Sequence, residues 1–307
     1  MKTKSAKRAP FGIVLPATSA NLGPAFDAAA LALDLQISIR AMAAEAFSIR
    51  ATGRDRKICE KVEGNLILNT YREVMAKNGR ATIPLSLQIA NEIPIGKGCG
   101  SSAAARLAGI ALADHFGKLR WTDAHIVGEA SRREHHPDNA SACWFGGLAV
   151  ARMSSESTAE VACVQPKGKW PLLLAIPDDP LSTEEARRVL PANYSRADAV
   201  VNIQNSMLLL AAFTQGRRDL LRPALEDRIH QPYRASLCPL LPALKKLNQN
   251  VGILGAALSG AGPSVLMFVD PKASMTKVRA RCERHLAASG LKAELLVTKI
   301  AGKRTRT

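Results

Sequence analysis

Residues 94–102 read Pro-Ile-Gly-Lys-Gly-Cys-Gly-Ser-Ser, with a glycine at every second position through the middle of the run. Upstream, Leu85, Leu87 and Ile89 alternate with Ser86 and Gln88, the period of a half-buried strand. Downstream, Ala104, Leu107, Ala108 and Ala111 recur at helical spacing. The chain must therefore pass from strand to helix through a loop whose glycines let the backbone approach a ligand and turn several N–H groups inward. The helix start adds unpaired N–H groups and the positive end of its dipole, which makes an anion site suited to a di- or triphosphate. The loop is not a Walker A sequence, because no Gly-Lys-Ser/Thr ends it, and its glycine spacing is not GxGxxG. A glycine-rich connection that binds nothing is the plain alternative. Ser101 and Ser102 weigh against it, since either can cap the helix or ligate a metal.

Around this loop, strand-like and helix-like patterns alternate, which indicates a mixed α+β chain. Its 307 residues predict two domains. We set the boundary near residue 165, giving domains over 10–165 and 166–300. A strand over 148–151 is followed by polar residues 153–159, and the next strand-like run is Leu172–Ile176. Helices are expected over about 198–214, 237–249 and 272–289, and a last strand near 292–299. Residues 251–269 carry no charge, but five of them are Gly or Pro, so they read as a buried strand–loop–strand and not as a membrane span.

The charge is +16, a balance that favours anionic partners. Lys2, Lys4, Lys7, Arg8, Lys303, Arg304 and Arg306 lie in residues 1–9 and 301–307, read as solvated basic tails, so the body is less basic and a nucleic-acid partner is not expected. The 6 cysteines form no CxxC pair and read as reduced thiols of a cytoplasmic protein. The apolar run at the N-terminus is too short for a secretory signal, and no membrane partner is expected.

Three further segments carry polar chemistry. In residues 16–27 a strand at 13–15 is expected to end in a polar loop presenting Asn21 and Asp27, a pair able to hold an ammonium or hydroxyl, or simply to cap a turn. Residues 132–139 pack acid, imidazole and amide into what reads as one short loop, suited to metal binding or substrate hydrogen bonding. Residues 259–264, Ser-Gly-Ala-Gly-Pro-Ser, offer a second glycine-rich wall for phosphates.

Taken together, these segments resemble the GHMP small-molecule kinases in order and spacing from about residue 12 to 299. Residues 94–104 resemble that family's P-x-x-x-G-x-G-S-S-A-A phosphate loop, and 258–264 its third motif. Within the family, PATSANLGPAFD and HPDNASACWFGGL are similar to segments of the homoserine kinases, as are Thr183–Arg187 with Val189-Leu190-Pro191, and Asp227 with Pro232-Tyr233-Arg234. The resemblance implies two lobes, the first like the second domain of ribosomal protein S5 and the second ferredoxin-like, with ATP between them. Pro94, Ile95, Gly96, Lys97, Gly98, Cys99, Gly100, Ser101, Ser102 and Ala103, with Gly260 and Gly262, would bind ATP. Ser102 and Glu134 would hold Mg2+, with Glu129 a second acidic candidate. Asn21, Asp27, His136, Asn139, Arg187 and Arg234 would line a pocket for L-homoserine, Asp27 pairing its amine and the arginines its carboxylate. Asn139, Arg187 and Asp27 are the catalytic candidates, Asp27 either as base or as amine partner. A homodimer and a place in threonine biosynthesis follow from the same resemblance.

The chain departs from the family pattern at Cys99 (usually Leu), His135 (usually Gly), Pro24 and Ser141-Ala142-Cys143. None removes a residue assigned to ATP or homoserine. Two other readings remain open on sequence alone: a kinase of the same family for another small alcohol, and a non-catalytic basic binding protein of this fold.

Overall fold

The computed structural model describes residues 9–155, 158–247, 251–303 and 305–306. In chain order the strands are β1 (Phe11–Asn21), β2 (Ala25–Ala43), β3 (Ser48–Gly53), β4 (Leu85–Asn91), β5 (Leu148–Ser155), β6 (Thr158–Val164), β7 (Leu172–Ile176), β8 (Ile253–Leu258), β9 (Val265–Val269), β10 (Glu294–Thr298) and β11 (Thr305–Arg306). The helices are α1 (Arg56–Cys59), α2 (Leu66–Lys77), α3 (Ser101–Gly117), α4 (Asp123–Glu134), α5 (Asp138–Phe145) and α6 (Thr183–Arg188), then α7 (Arg196–Gln215), α8 (Leu221–Ala224), α9 (Gln231–Arg234), α10 (Leu240–Lys245) and α11 (Met275–Ala288).

Among the described residues seven strands form one sheet, β11-β1-β2-β4-β3 with β5 and β6 branching from β2. Four form a second, β10-β7-β9-β8, every neighbour antiparallel. The chain passes from one sheet to the other between Val164 and Leu172. The second lobe's β-α-β-β-α-β order and strand arrangement are ferredoxin-like, as expected.

Sequence explains the packing. Helix α3 is alanine-rich, and its Leu107, Ala108 and Ala111 are buried beneath the large sheet. Gly109 lets α2 cross it closely, because a Cβ there would sit 2.5 Å from the Ile67 carbonyl oxygen. All five residues of β7 are buried, which suits its unbroken apolar run. Its alternate side chains serve different cores: Leu172, Leu174 and Ile176 join the large core that continues into the first lobe, while Leu173 and Ala175 join the core beneath α10 and α11.

Several expectations need correction. The strand at 13–15 does not end at Pro16: β1 runs on to Asn21 against β2, past a bulge at Pro16/Ala17, and Asp27 lies on β2 itself. Thr18 and Ser19 are buried there, so their polarity does not mark a solvated loop. Residues 132–139 are not one loop but the end of α4, a turn at His135 with φ 67°, and the start of α5. Within the polar stretch 153–159, residues 153–155 end β5 and residues 158–159 begin its antiparallel partner β6, with Ser154 and Ser155 facing water and Ala159 buried; residues 156 and 157 lie outside the described residues. Helix α10 is shorter than the expected 237–249, whose end lies outside the described residues. Among the described residues of 301–307, Gly302, Lys303 and Thr305 are exposed as a solvated tail would be, but the segment is also tied to the first sheet. Ala301 is buried, its N–H donates to the Ala32 carbonyl, and β11 pairs with β1. Residues 1–8 and Arg304 lie outside the described residues. No described helix is long and apolar enough to cross a membrane.

Candidate active site

One cavity of about 460 Å3 gathers nearly every residue singled out from the sequence. Its phosphate wall follows β4. Gly96, Gly98 and Gly100 take φ of 71°, 75° and 70°, so the loop alternates through a conformation that only glycine adopts without strain. A Cβ on Gly98 would lie 2.2 Å from the Ser259 carbonyl oxygen, and one on Gly100 would lie 1.8 Å from Thr18 Oγ1. Gly100 caps α3 without any side-chain hydrogen bond, which leaves the first-turn N–H groups for an anion. Gly260 and Gly262 supply the facing wall, and Ser259 Oγ donates to the Gly98 carbonyl at 2.7 Å.

Three residues of the expected ATP set do not line the cavity: Pro94, Lys97 and Ala103. The Lys97 ammonium donates instead to the carbonyls of Pro177, at 2.9 Å, and Asp178, tying the loop to the second lobe. Cys99 is buried, and burial pushes its thiol up to about 12, so it contributes backbone and no reactivity.

At the start of α3, Ser102 Oγ donates to Glu134 Oε1 at 2.6 Å, and Arg106 Nε donates to the same oxygen at 2.5 Å. A hydroxyl and a carboxylate beside a phosphate cradle are the hard oxygen donors that Mg2+ takes. Glu129 does not compete: it is buried away from the cavity among Arg132, Arg133 and Lys77.

The opposite end of the cavity is charged. Asn21, at the end of β1 with φ 70°, donates from Nδ2 to the Gly260 carbonyl at 2.8 Å. Its Oδ1 accepts the Asp27 N–H at 2.9 Å, so both ends of the amide are spent on shaping the site. Asp27, held at φ 54°, accepts from Arg187 Nη2 at both oxygens, 2.8 and 3.0 Å away. Arg234 is buried at 1% exposure; its Nε donates to the Ala186 carbonyl at 2.9 Å and its Nη1 to His230 Nδ1 at 3.1 Å. Burial first, and the nearby Arg187 charge second, lower the Arg234 guanidinium to about 10, still charged at neutral pH. Phe26 lies against both guanidinium groups, each 5.4 Å from its ring centre.

His136 and Asn139 come from the α4–α5 junction. Burial works against charge on the His136 ring, yet the hydrogen bond to Asp138 at 2.6 Å and the charges of Asp138, Asp27 and Glu134 raise its pKa above the ordinary value. Asn139 Oδ1 accepts from Thr18 Oγ1 at 2.6 Å, which makes its Nδ2 the donor end.

Sequence reasoning missed four participants: Thr18, Asp138, Phe26 and the His230 strut that braces Arg234. Thr18 and Asp138 stood inside motifs already noticed, and only their buried, bonded state reveals their part. It also missed the wall from Ile58 to Ile67, which with Ile37, Ile89 and Ile93 forms the apolar side of the cavity.

A phosphate cradle and a paired-charge pocket facing one cavity between two lobes define a kinase for a small molecule. The family model for the GHMP kinase N-terminal domain matches residues 65–147, and that for the GHMP kinase C-terminal domain matches 209–288. Homoserine kinase of Solibacter usitatus is 43% identical over 87% of each chain. That of Deinococcus radiodurans is 36% identical over 94% of this chain and 93% of the relative. The chain belongs to the GHMP kinase family, among its homoserine kinases. Solved structures share the fold: homoserine kinase from Cytophaga hutchinsonii matches at TM-score 0.81 with 21% identity over the whole of both chains. Phosphomevalonate kinase of Streptococcus pneumoniae, solved with phosphomevalonate and AMPPNP, matches at 0.67 with 13% identity over 95% of this chain and 99% of that one.

Proposed function

We propose that the protein transfers the γ-phosphoryl group of ATP to the side-chain hydroxyl of L-homoserine, giving O-phospho-L-homoserine and ADP for threonine biosynthesis. The carrying observation is one cavity with a phosphate cradle at one end and the Asp27, Arg187 and Arg234 charges at the other. The triphosphate would lie along the Gly96–Gly100 backbone and the α3 N-terminus, with the adenine against Ile58, Ile67 and Ile89. Ser102 and Glu134 would hold Mg2+, which when bound neutralises phosphate charge.

The amino acid's carboxylate would take the guanidinium groups of Arg187 and Arg234, which bind planar anions bidentately. Its hydroxyl would then point toward the γ-phosphorus. The new O–P bond forms as the bond to the ADP oxygen breaks, and the hydroxyl proton leaves to water or phosphate. Arg187 occupies both oxygens of Asp27, so rate enhancement rests on alignment and charge neutralisation, with the Asn139 Nδ2 donor at the transferring group. A cytoplasmic location and a homodimer belong to the same proposal and rest on family likeness.

A coupled ADP-release assay with Mg·ATP tests it, comparing L-homoserine with L-serine, mevalonate and galactose. Turnover is expected with L-homoserine. Arg234→Met, which keeps volume but loses the charge, is expected to lower kcat/KM about 10- to 100-fold, the worth of one charge-assisted hydrogen bond. Release of ADP only with another alcohol would retain the kinase and overturn the substrate.

A further inference from the structure

Between Ser101 and Ala113, helix α3 carries one charged side chain, Arg106, in a run that is otherwise small and apolar. Four residues beyond Ser102, it lies on the same face of the helix, one turn further on. Its Nε donates to Glu134 Oε1 at 2.5 Å, the same oxygen that accepts from Ser102 Oγ at 2.6 Å. Both side chains are shielded from water, Arg106 at 25% and Glu134 at 11% exposure. Of the two, only Glu134 lines the cavity, so the guanidinium grips the carboxylate from behind the cavity wall.

Glu134 needs a cation. It is the last residue of α4, where the helix dipole presents its negative end and a carboxylate is unfavourable. The adjacent Arg132 and Arg133 turn to Glu129 instead. Lys97 is committed to the 177–178 backbone. Arg106 therefore balances the Glu134 charge from within the protein. In doing so it occupies the oxygen that, beside the Ser102 hydroxyl, would ligate Mg2+, and it sets a positive charge next to the incoming ion.

We propose that Arg106 is a positioning residue that holds Glu134 as its counter-ion and competes with Mg2+ for that carboxylate. It thereby sets how strongly nucleotide binding depends on the metal: the site is charge-balanced before Mg·ATP arrives, at the expense of metal affinity. This inference rests on the reading of Ser102 and Glu134 as the Mg2+ ligands.

Calorimetry tests it by measuring ATP binding with Mg2+ and with EDTA in its place. Arg106→Met keeps the length and loses the charge. It is expected to widen the ratio of the two dissociation constants about tenfold in favour of Mg·ATP. Arg106→Lys, which keeps the charge, is expected to hold the ratio within about threefold of wild type. In a Glu134→Gln background, Arg106→Met is expected to leave the ratio unchanged, because the counter-ion has lost its partner. A guanidinium that bound the phosphates directly would, once removed, weaken ATP equally in both conditions and leave the ratio as it was. One that only oriented Glu134 for the metal would, once removed, narrow the ratio. Either result overturns the proposal, as does a widening that persists with Glu134→Gln. Circular dichroism reports whether Arg106→Met folds, and Arg106→Gln is read in the same way if it does not. A wild-type protein that binds ATP in neither condition overturns the kinase reading itself, a separate failure.

Discussion

His230 shows how a residue that never reaches the cavity can govern it. It is fully buried, its Nε2–H donating to the Gly23 carbonyl at 2.8 Å while Nδ1 accepts from Arg234, so the ring is neutral in the folded state. Burial pushes its pKa down to about 4; the Asp227 charge opposes the shift and the Arg234 charge assists it. In the unfolded chain a histidine titrates near ~6.5. Between those values the unfolded state binds more protons, so His230 contributes stability that is present above about 6.5 and lost as pH falls toward about 4. Folded protein is expected to lose on the order of 2–3 kcal/mol over that window. Thermal melts at a series of pH values check it: the slope should be visibly shallower in His230→Gln. An equally steep slope in that variant would assign the acid sensitivity to other groups.

At the scale of elements, the phosphate loop is a part of the interface between lobes as much as a ligand cradle. Gly98 packs against the carbonyls of Ser259 and Gly262, Leu181 N–H donates to the Gly96 carbonyl at 3.2 Å, and Lys97 reaches the 177–178 backbone. Gly98→Ala adds a Cβ 2.2 Å from the Ser259 oxygen, at φ 75°. Gly79→Ala is the matched control, with φ 62° and no atom within 4 Å of the added carbon. Left-handed strain alone costs about 1–2 kcal/mol in both. Denaturant unfolding is expected to show the larger loss in Gly98→Ala, with Mg·ATP affinity lowered at least tenfold only there. Equal losses would mean that the loop does not bear on the second lobe. The loop itself was legible in the sequence because glycine spacing encodes backbone conformation locally. The charged end was legible only through family resemblance, since Asp27 and Arg187 meet across 160 residues and no local period joins them. Thr18 and Asp138 were illegible for another reason: their side chains resemble ordinary turn and cap residues until burial is known. Extended strand in residues 16–21 was hidden similarly, by buried polar side chains where pattern reading expects apolar ones.

The whole molecule unites its lobes by two routes that composition conceals. One is the shared core, in which Leu172, Leu174, Phe213 and Phe268 of the second lobe belong to the same cluster as Ile13, Leu31 and Leu107 of the first. The other is the return of the chain's end. After β10 the backbone crosses to the first sheet, bridging Ile300 to Leu33. It then exchanges hydrogen bonds through Ala301 with Ala32 and Gly147, each at 2.9 Å, and β11 pairs with β1. Gly302 fills the space beside Gly146 so closely that a Cβ on Gly146 would lie 2.2 Å from it. Basic, short and glycine-containing, this segment carries no strand period, yet its Ala301 satisfies the Ala32 carbonyl and the Gly147 N–H between β2 and β5. Removing residues 300–307 leaves the Ala32 carbonyl and the Gly147 N–H without those partners, for a loss of about 2–4 kcal/mol. Because the core is continuous across the lobes, the truncated chain is expected to unfold in a single transition at lower denaturant, followed by both circular dichroism and tryptophan fluorescence. Two separated transitions would show instead that the chain's end, and not the shared core, makes the lobes cooperative. An unchanged midpoint would return residues 300–307 to the status of a solvated tail.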